Sequence, residues 1–261
     1  SFSESRNIFD HPISTRFDEQ DAFVIFDNVE VPRDRLHVNC NTAVYNSVMM
    51  RSWWPNVMQQ TTVRALTKLE FAWGLASRMT EVINDVKPQT WEMLGEIWSY
   101  AELTRACLKA AEDGATDYGN GVWLPDAQPF SALRASMPRW MARVSEIIQL
   151  IGSHNVFAAP SRAQLDDAGL RPLIDHYLRG AGDVGAEQRA RVFRLAWDFV
   201  GTGLAGRNLQ YERFYLGSSA RNYQMAHLFG DRTRANELVD RFLTEDIEVG
   251  KKAGSRVTEA V

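Results

Sequence analysis

The chain has 261 residues, of which 29 are Lys or Arg and 33 are Asp or Glu, so its formal net charge is −4. A hydrophobic fraction of 45% and a charged fraction of 24% are ordinary for a globular protein and exclude disorder of the whole chain. The mildly acidic balance argues against a nucleic-acid-binding surface over the whole protein. Two cysteines cannot build a disulfide framework or a four-thiolate zinc site, and no uncharged apolar run is long enough to cross a membrane.

The first residue is Ser1, and the segment after it has no basic region followed by an apolar stretch, so it does not have the pattern of a signal peptide. We therefore expect a cytoplasmic protein whose beginning is cut. The first element in chain order is predicted to be β. Residues 21–28 form a short run of aromatic and β-branched residues, continued by Val29 to Pro32, where proline ends the strand. Because two strands are marginal alone, we expect them to complete a sheet whose other strands lie elsewhere.

From about Tyr45 the spacing of apolar residues becomes helical. After Pro55, apolar residues recur every three or four positions until Lys87, which predicts one helix of some 30 residues. A second apolar stripe begins at Pro88 and closes at Gly114. The stripes predict two long helices joined by a short link.

Further helices are predicted over a third stripe from Leu133 to Ile151, a short segment around residues 173–178, a fourth stripe from Ala186 towards Leu204, and residues 231–243. Long helices with short links predict an antiparallel bundle. Large side chains in the stripes are interpreted as core residues: Trp73, Trp91, Trp98 and Met141.

Two motifs with known chemistry carry little weight here. Residues 201–206 fit the dinucleotide fingerprint G-x-G-x-x-G, but the residues before them read as a helix and not as the strand that the fingerprint requires. Close helix packing explains these glycines better. No two of the five histidines are three or four residues apart, so no metal site is expected.

Three segments could hold a ligand, and each has a structural alternative. Around Gly152 an apolar helix turns polar, and such a helix end either exposes backbone groups to a ligand or is a simple C-cap. Arg207 and Tyr211 belong to a dense polar helix face, which is usually only solvated. Gly217 and Ser218 offer donors suited to a phosphate, or a cap for the next helix.

Several separated segments, in the right order, resemble the oxygenase components of 4-hydroxyphenylacetate 3-monooxygenases. Residues 26–32 resemble the end of their middle β-domain, and residues 64–71 resemble the first helix of their C-terminal bundle. Residues 193–207 and 211–217 are similar to their last long helix. The resemblance implies an acyl-CoA dehydrogenase-like fold that is mainly α, with an antiparallel four-helix bundle preceded by the last strands of a β-domain. Residues 1–44 would end the β-domain, residues 45–248 would form the bundle, and residues 249–261 would be a polar tail.

The resemblance implies flavin chemistry. Members take FADH2 from a separate flavin reductase, react it with O₂, and hydroxylate a phenol ortho to its hydroxyl through a C4a-hydroperoxyflavin. Gln149, Gly152 and Ser153 match a Gln-x-x-Gly-Gly pattern that contacts FAD from a neighbouring subunit, although Ser153 replaces its second glycine. The resemblance also assigns Gly217 and Ser218 to the flavin.

Arg207 and Tyr211 are further cofactor candidates, because they lie in the most characteristic stretch and an arginine there could pair with a pyrophosphate. No catalytic residue can be named, since the family's substrate pocket draws mainly on residues before this segment. We expect a homodimer or homotetramer acting on a phenolic small molecule, free or tethered to a carrier protein.

Two other functions remain open. One is an acyl-CoA dehydrogenase-type oxidoreductase, which needs a carboxylate base; Glu212 and Glu146 are the acidic candidates. The other is a helical oligomerisation module without activity alone.

Overall fold

A computed structural model describes residues 7–19 and 21–244. Residues 245–248 and the predicted polar tail at 249–261 lie outside the described residues. The helices and strands in chain order are α1 (Ser14–Phe17), α2 (Thr42–Val48), α3 (Trp54–Ile83), α4 (Pro88–Asp113), β1 (Thr116–Gly119), β2 (Val122–Leu124), α5 (Ala127–Gly152), α6 (Asn155–Ala158), α7 (Arg162–Asp166), α8 (Arg171–Tyr177), α9 (Ala186–Val200), α10 (Gly203–Phe214), α11 (Ser219–Phe229) and α12 (Thr233–Thr244). A 3₁₀ turn at Arg33–Arg35 precedes α2, and a π-helical turn at Met49–Trp53 joins α2 to α3.

The two predicted long helices are confirmed as α3 and α4. Helix α3 ends because Asn84 adopts a left-handed conformation with φ 52°. The short link turns the chain back, and an ion pair of 2.7 Å between Arg105 and Glu70 joins the two helices. The third predicted stripe is confirmed as α5. The rings of Tyr100 and Trp140, 4.8 Å apart, stack between α4 and α5.

The predicted fourth helix is broken into α9 and α10. Gly201 ends α9, and the hydroxyl of Thr202 accepts from the amide of Ala205 to cap α10. A side chain at Gly201 would collide with the ring of Trp197. The residues before the G-x-G-x-x-G match are therefore helical, as predicted, and the glycine permits the break. Helices α3, α4, α5 and the α9–α10 pair form the predicted antiparallel bundle, with α5 touching the other three.

The bundle core is built from the predicted stripes, and Met141 is buried in it. The core interpretation of three tryptophans is wrong. Trp73, Trp91 and Trp98 are between 40% and 57% exposed. Their indoles lie on the outer surface of α3 and α4, because smaller residues such as Ala72 and Ile97 occupy the inward positions beside them.

The segment predicted to be β contains no strand. Residues 21–32 are exposed, and Phe23 is completely so. A strand requires a hydrogen-bonded neighbour, and within the described residues the only sheet is the hairpin of β1 and β2. The aromatic and β-branched pattern is present, but no second strand lies beside it.

The N-terminal segment is joined to the bundle by the buried carboxylate of Asp198 on α9. Its Oδ2 accepts hydrogen bonds from the amides of Ile13 and Ser14, each 2.7 Å long. Its Oδ1 accepts from the hydroxyls of Ser14 and Thr202. One side chain thus holds the start of α1 and the break between α9 and α10. None of the helices in the described part of the chain is long and apolar enough to span a membrane.

Candidate functional site

A buried carboxylate lies between α3 and α10. Glu212 is 5% exposed. Its Oε1 is 2.6 Å from Lys68 Nζ, and its Oε2 accepts a bond of 2.9 Å from Arg64 Nη2, while Arg64 Nη1 also donates to Oε1. Both cations are partly buried. Burial would raise the pKa of Glu212, but the hydrogen bonds and charges of Arg64 and Lys68 outweigh it and lower the pKa below its usual value.

Tyr211 extends this cluster to the surface. Its ring stacks on that of Tyr215 with centroids 4.4 Å apart, and the Arg64 guanidinium lies 5.0 Å from its centroid. Desolvation and a hydrogen bond with Tyr215 raise the pKa of Tyr211 to about 12. The phenol is therefore a neutral hydrogen-bonding group at physiological pH, on the half-exposed side of α10.

Arg207, one turn before Tyr211 on α10, forms an ion pair with Asp18 in the N-terminal segment. The side chain of Asp18 is 4% exposed and that of Arg207 is 36% exposed. An arginine carries five N–H donors, so this pair leaves donors for an anionic ligand. The structure gives Arg207 a structural partner that sequence reasoning did not foresee.

Gln149, Gly152 and Ser153 lie together at the C-terminal end of α5. The Gln149 amide donates to the carbonyl of Val200 over 3.2 Å, and Ser153 ends the helix with φ 47°. Ser153 is exposed, whereas Gly152 is buried. A side chain at Gly152 would collide with Val156 and lie 2.8 Å from Met79 Cε. Gly152 is thus needed for packing, whatever else it does.

Gly152→Ala is expected to lower the free energy of unfolding by about 1–3 kcal/mol, because the added methyl overfills a packed contact. Gly206→Ala is the matched control. Gly206 lies inside α10 with open space where a Cβ would stand, so alanine should stabilise that helix by about 0.5–1 kcal/mol. Urea unfolding measures both. Equal stabilities for Gly152→Ala and wild type would contradict the packing role.

Gly217 and Ser218 form the turn between α10 and α11. Gly217 has φ +85°, a conformation that favours glycine. The Ser218 hydroxyl accepts from the amide of Arg221, so Ser218 is the N-cap of α11. The helix-cap interpretation of this motif is confirmed. A cap of this kind leaves the first amides of the helix available to an anion.

The structure does not bring the seven candidates into one pocket. The Gly217 turn touches α5 at Arg134, while Gln149 is fifteen residues further along the same helix. At a rise of about 1.5 Å per residue, the two ends are about 22 Å apart. Arg207 and Tyr211 lie on α10, between these ends. One chain therefore offers two end groups of candidate ligands, Gln149 to Ser153 and Gly217 to Ser218, with Arg207 and Tyr211 between them.

A cleft of about 720 Å³ opens beside the start of α3. Its walls come from the π-helical turn, the β-hairpin and the start of α5, and include Arg51, Trp54 and Tyr118. None of the seven predicted residues lines it. In the described part of the chain, no group of three or more His, Cys, Asp or Glu side chains is arranged to hold a metal ion.

Sequence reasoning missed Arg64, Lys68 and Arg134. Arg64 and Lys68 are one turn apart on a largely apolar helix, and this spacing could have suggested a paired buried acid. For Arg134 no signal existed, because its partners are 80 or more residues away along the chain.

A sequence model described as 4-hydroxyphenylacetate 3-hydroxylase, C terminal, matches residues 46–244. The chain belongs to this family. It is 34% identical, over 92% of its own length and 50% of the relative's, to the 4-hydroxyphenylacetate 3-monooxygenase oxygenase component of Thermus thermophilus. It is 31% identical, over 80% of its length and 41% of the relative's, to the 4-nitrophenol 2-monooxygenase oxygenase component of a Rhodococcus species.

A solved structure of a family member extends the similarity to three dimensions. The crystal structure of a 4-hydroxyphenylacetate 3-monooxygenase oxygenase component with FAD and 4-hydroxyphenylacetate superposes with a TM-score of 0.84 and 32% identity. The match covers 91% of this chain and 50% of that one. The chain spans about half the length of these family members, and the acyl-CoA dehydrogenase-like bundle predicted from the sequence is confirmed.

Proposed function

We propose that the chain is the C-terminal portion of a reduced-flavin-dependent monooxygenase that hydroxylates a phenolic substrate ortho to its hydroxyl. The observation that carries this proposal is the similarity of nearly the whole chain to an oxygenase component that holds FAD. When bound, FADH2 would react with O₂ and so supply the oxygen-activating chemistry. The protein would bind the cofactor, exclude water and orient the phenol.

The residues fit a flavin in charge and exposure. Arg207 would donate to the pyrophosphate, and the turn at Gly217 and Ser218 would offer backbone donors to an anionic group. Tyr211 is a neutral, half-exposed phenol beside two cations, which suits a hydrogen bond to the cofactor. Gln149 and Ser153 present polar, exposed side chains from the other end of α5.

We propose that two subunits share each flavin. The distance of about 22 Å between the two groups of candidates supports this arrangement, since one group would serve its own subunit's flavin and the other a neighbour's. The half-exposed Trp91 and Trp98 on α4 support further contacts with protein, because exposed aromatic patches commonly mark interfaces. A homodimer or homotetramer would meet this need, with a separate reductase supplying FADH2.

The two carboxylates considered for the acyl-CoA dehydrogenase alternative are poor candidates for its base. Glu212 is buried and paired with two cations that lower its pKa, so it is a poor proton acceptor. Glu146 is exposed and paired with Arg143 over 2.8 Å. Neither carboxylate has the apolar, accessible surroundings that tune a general base near neutral pH.

We further propose the division predicted from the sequence, with residues 1–44 ending a β-domain and residues 45–248 forming the bundle. The exposed apolar segment at 21–32 supports a neighbouring sheet in the complete protein. A cytoplasmic location is consistent with two cysteines that are both free.

Anaerobic titration of the chain with reduced FAD tests the flavin site. Saturable binding is expected, and Arg207→Ala should weaken it by about 1.5–3 kcal/mol, the range for a hydrogen bond to a charged group. Asp18→Asn is the control, because it removes the partner of Arg207 but not the arginine. If neither form of FAD binds, an autonomous flavin site is excluded for this chain. If Arg207→Ala and Asp18→Asn reduce stability equally and leave flavin affinity unchanged, Arg207 is structural.

A further inference from the structure

Arg134 on α5 makes hydrogen bonds to the Gly217 turn. Its Nε donates to the carbonyl of Leu216 over 2.5 Å. Its own carbonyl accepts from Asn222 Nδ2 over 3.3 Å, and the same amide donates to the carbonyl of Gly217 over 3.2 Å. The side chain and the backbone of Arg134 therefore fix two successive carbonyls of the turn, one directly and one through the buried Asn222.

The guanidinium of Arg134 also reaches the start of α3. Its Cζ lies 4.4 Å from the ring centroid of Trp54, which is a wall of the 720 Å³ cleft. A planar guanidinium can donate in its plane while its face lies on an aromatic ring, and a lysine ammonium cannot do both. Arg134 thus connects α3, α5 and the turn before α11.

The electrostatics of the turn are positive. Burial, and then the charge of Arg221, lower the pKa of Arg134. Among the residues that the structure describes, no carboxylate lies within ion-pair distance of Arg134 or Arg221, whereas Arg64, Arg143 and Arg207 all have such partners. Two arginines without an acidic partner favour an anionic group near the turn.

We propose that Arg134 is a positioning residue, which holds the Leu216–Gly217–Ser218 turn in the shape that receives the phosphate-bearing part of the flavin. This inference rests on the proposed function for the ligand, but the contacts that define the positioning belong to this chain alone. Arg134 acts through the turn and takes no part in the chemistry.

Hydrogen exchange and flavin titration of Arg134→Ala, Arg134→Lys and Arg139→Ala test the proposal on the full chain. Arg139 is the matched control, since it lies five residues further along α5, is exposed, and stacks on Tyr223 without touching the turn. In Arg134→Ala the amides of Gly217 and Asn222, which donate to the carbonyls of Phe214 and Ser218, should exchange at least tenfold faster, while those in the middle of α3 keep their wild-type rates. Arg134→Lys should restore little, and Arg139→Ala should leave the turn unchanged.

The two readouts separate the two hypotheses. If wild type binds FAD and riboflavin, Arg134→Ala should lose at least tenfold in affinity for FAD and less than threefold for riboflavin, which carries no phosphate. If wild type binds neither, the proposed flavin site fails in this chain, and the exchange rates still decide the positioning role. Unchanged exchange at Gly217 and Asn222 in Arg134→Ala would overturn the inference, as would equal effects of Arg134→Ala and Arg139→Ala.

Discussion

Replacing Glu212 with glutamine is expected to lower the free energy of unfolding at neutral pH by about 3–5 kcal/mol. The substitution keeps the shape of the side chain but removes the negative charge between Arg64 and Lys68. Both cations are partly buried, and Arg64 Nε is already buried without a partner. Without the carboxylate, two positive charges remain in a poorly solvated place. Urea unfolding at pH 7 measures the loss.

Glu146→Gln is the control for this prediction. Glu146 pairs with Arg143 on the exposed side of α5, and a surface pair of this kind contributes at most about 1 kcal/mol. A loss for Glu212→Gln as small as the loss for Glu146→Gln would show that water reaches the buried cations freely.

The pH dependence gives an independent check on Glu212. Its pKa in the folded protein lies below the usual 4.5, so the folded state binds the proton less readily than the unfolded state. The stability that the charged form of Glu212 contributes is fully present above about pH 4.5, and it is lost as the pH falls through the folded-state pKa. The stabilities of wild type and Glu212→Gln should therefore converge at acidic pH.

Asp198→Ala is expected to destabilise the protein by about 2–4 kcal/mol, because it removes a buried carboxylate that accepts hydrogen bonds from amides and hydroxyls. A hydrogen bond to a charged group contributes about 1.5–3 kcal/mol, and water can replace only part of this loss. The amides of Ile13 and Ser14 would lose their acceptor. The effect should be greatest at the N-terminal segment, so hydrogen exchange and proteolysis at residues 7–19 would detect it.

Ser14→Ala is the control for Asp198. It removes the hydroxyl that donates to Asp198 Oδ1 but keeps both backbone hydrogen bonds, so the expected loss is that of one hydrogen bond to a charged group, about 1.5 kcal/mol. If Asp198→Ala releases the N-terminal segment no more than Ser14→Ala does, the backbone bonds do not hold that segment.

The sequence predicted the long helices well because their information is local. Apolar residues at intervals of three and four, with Pro55, Pro88 and Gly114 at the ends, indicate helix boundaries without knowledge of any partner. The same patterns did not predict the break at Gly201, since a glycine within a helical pattern is compatible with either a continuous helix or an end. Only the clash that Trp197 would impose on a side chain shows why the break needs glycine.

The candidate site was predictable only in part. Gly217 and Ser218 formed a recognisable local motif, and Arg207 and Tyr211 stood out as a polar helix face. The Trp91 and Trp98 interpretation failed because a stripe gives a direction on one helix, whereas exposure depends on what the neighbouring helices cover.

By itself, the amino-acid sequence determined the helical class of this protein, the bounds of α3 and α4, and a resemblance to flavin-dependent oxygenase components. Only the tertiary structure decided which charges meet. Glu212 finds Arg64 and Lys68 more than 140 residues away, Arg207 finds Asp18, and Arg134 finds the turn at Leu216. The reason is physical: hydrophobic periodicity is set by neighbours in the chain, while the partner of a buried charge is set by how whole helices pack.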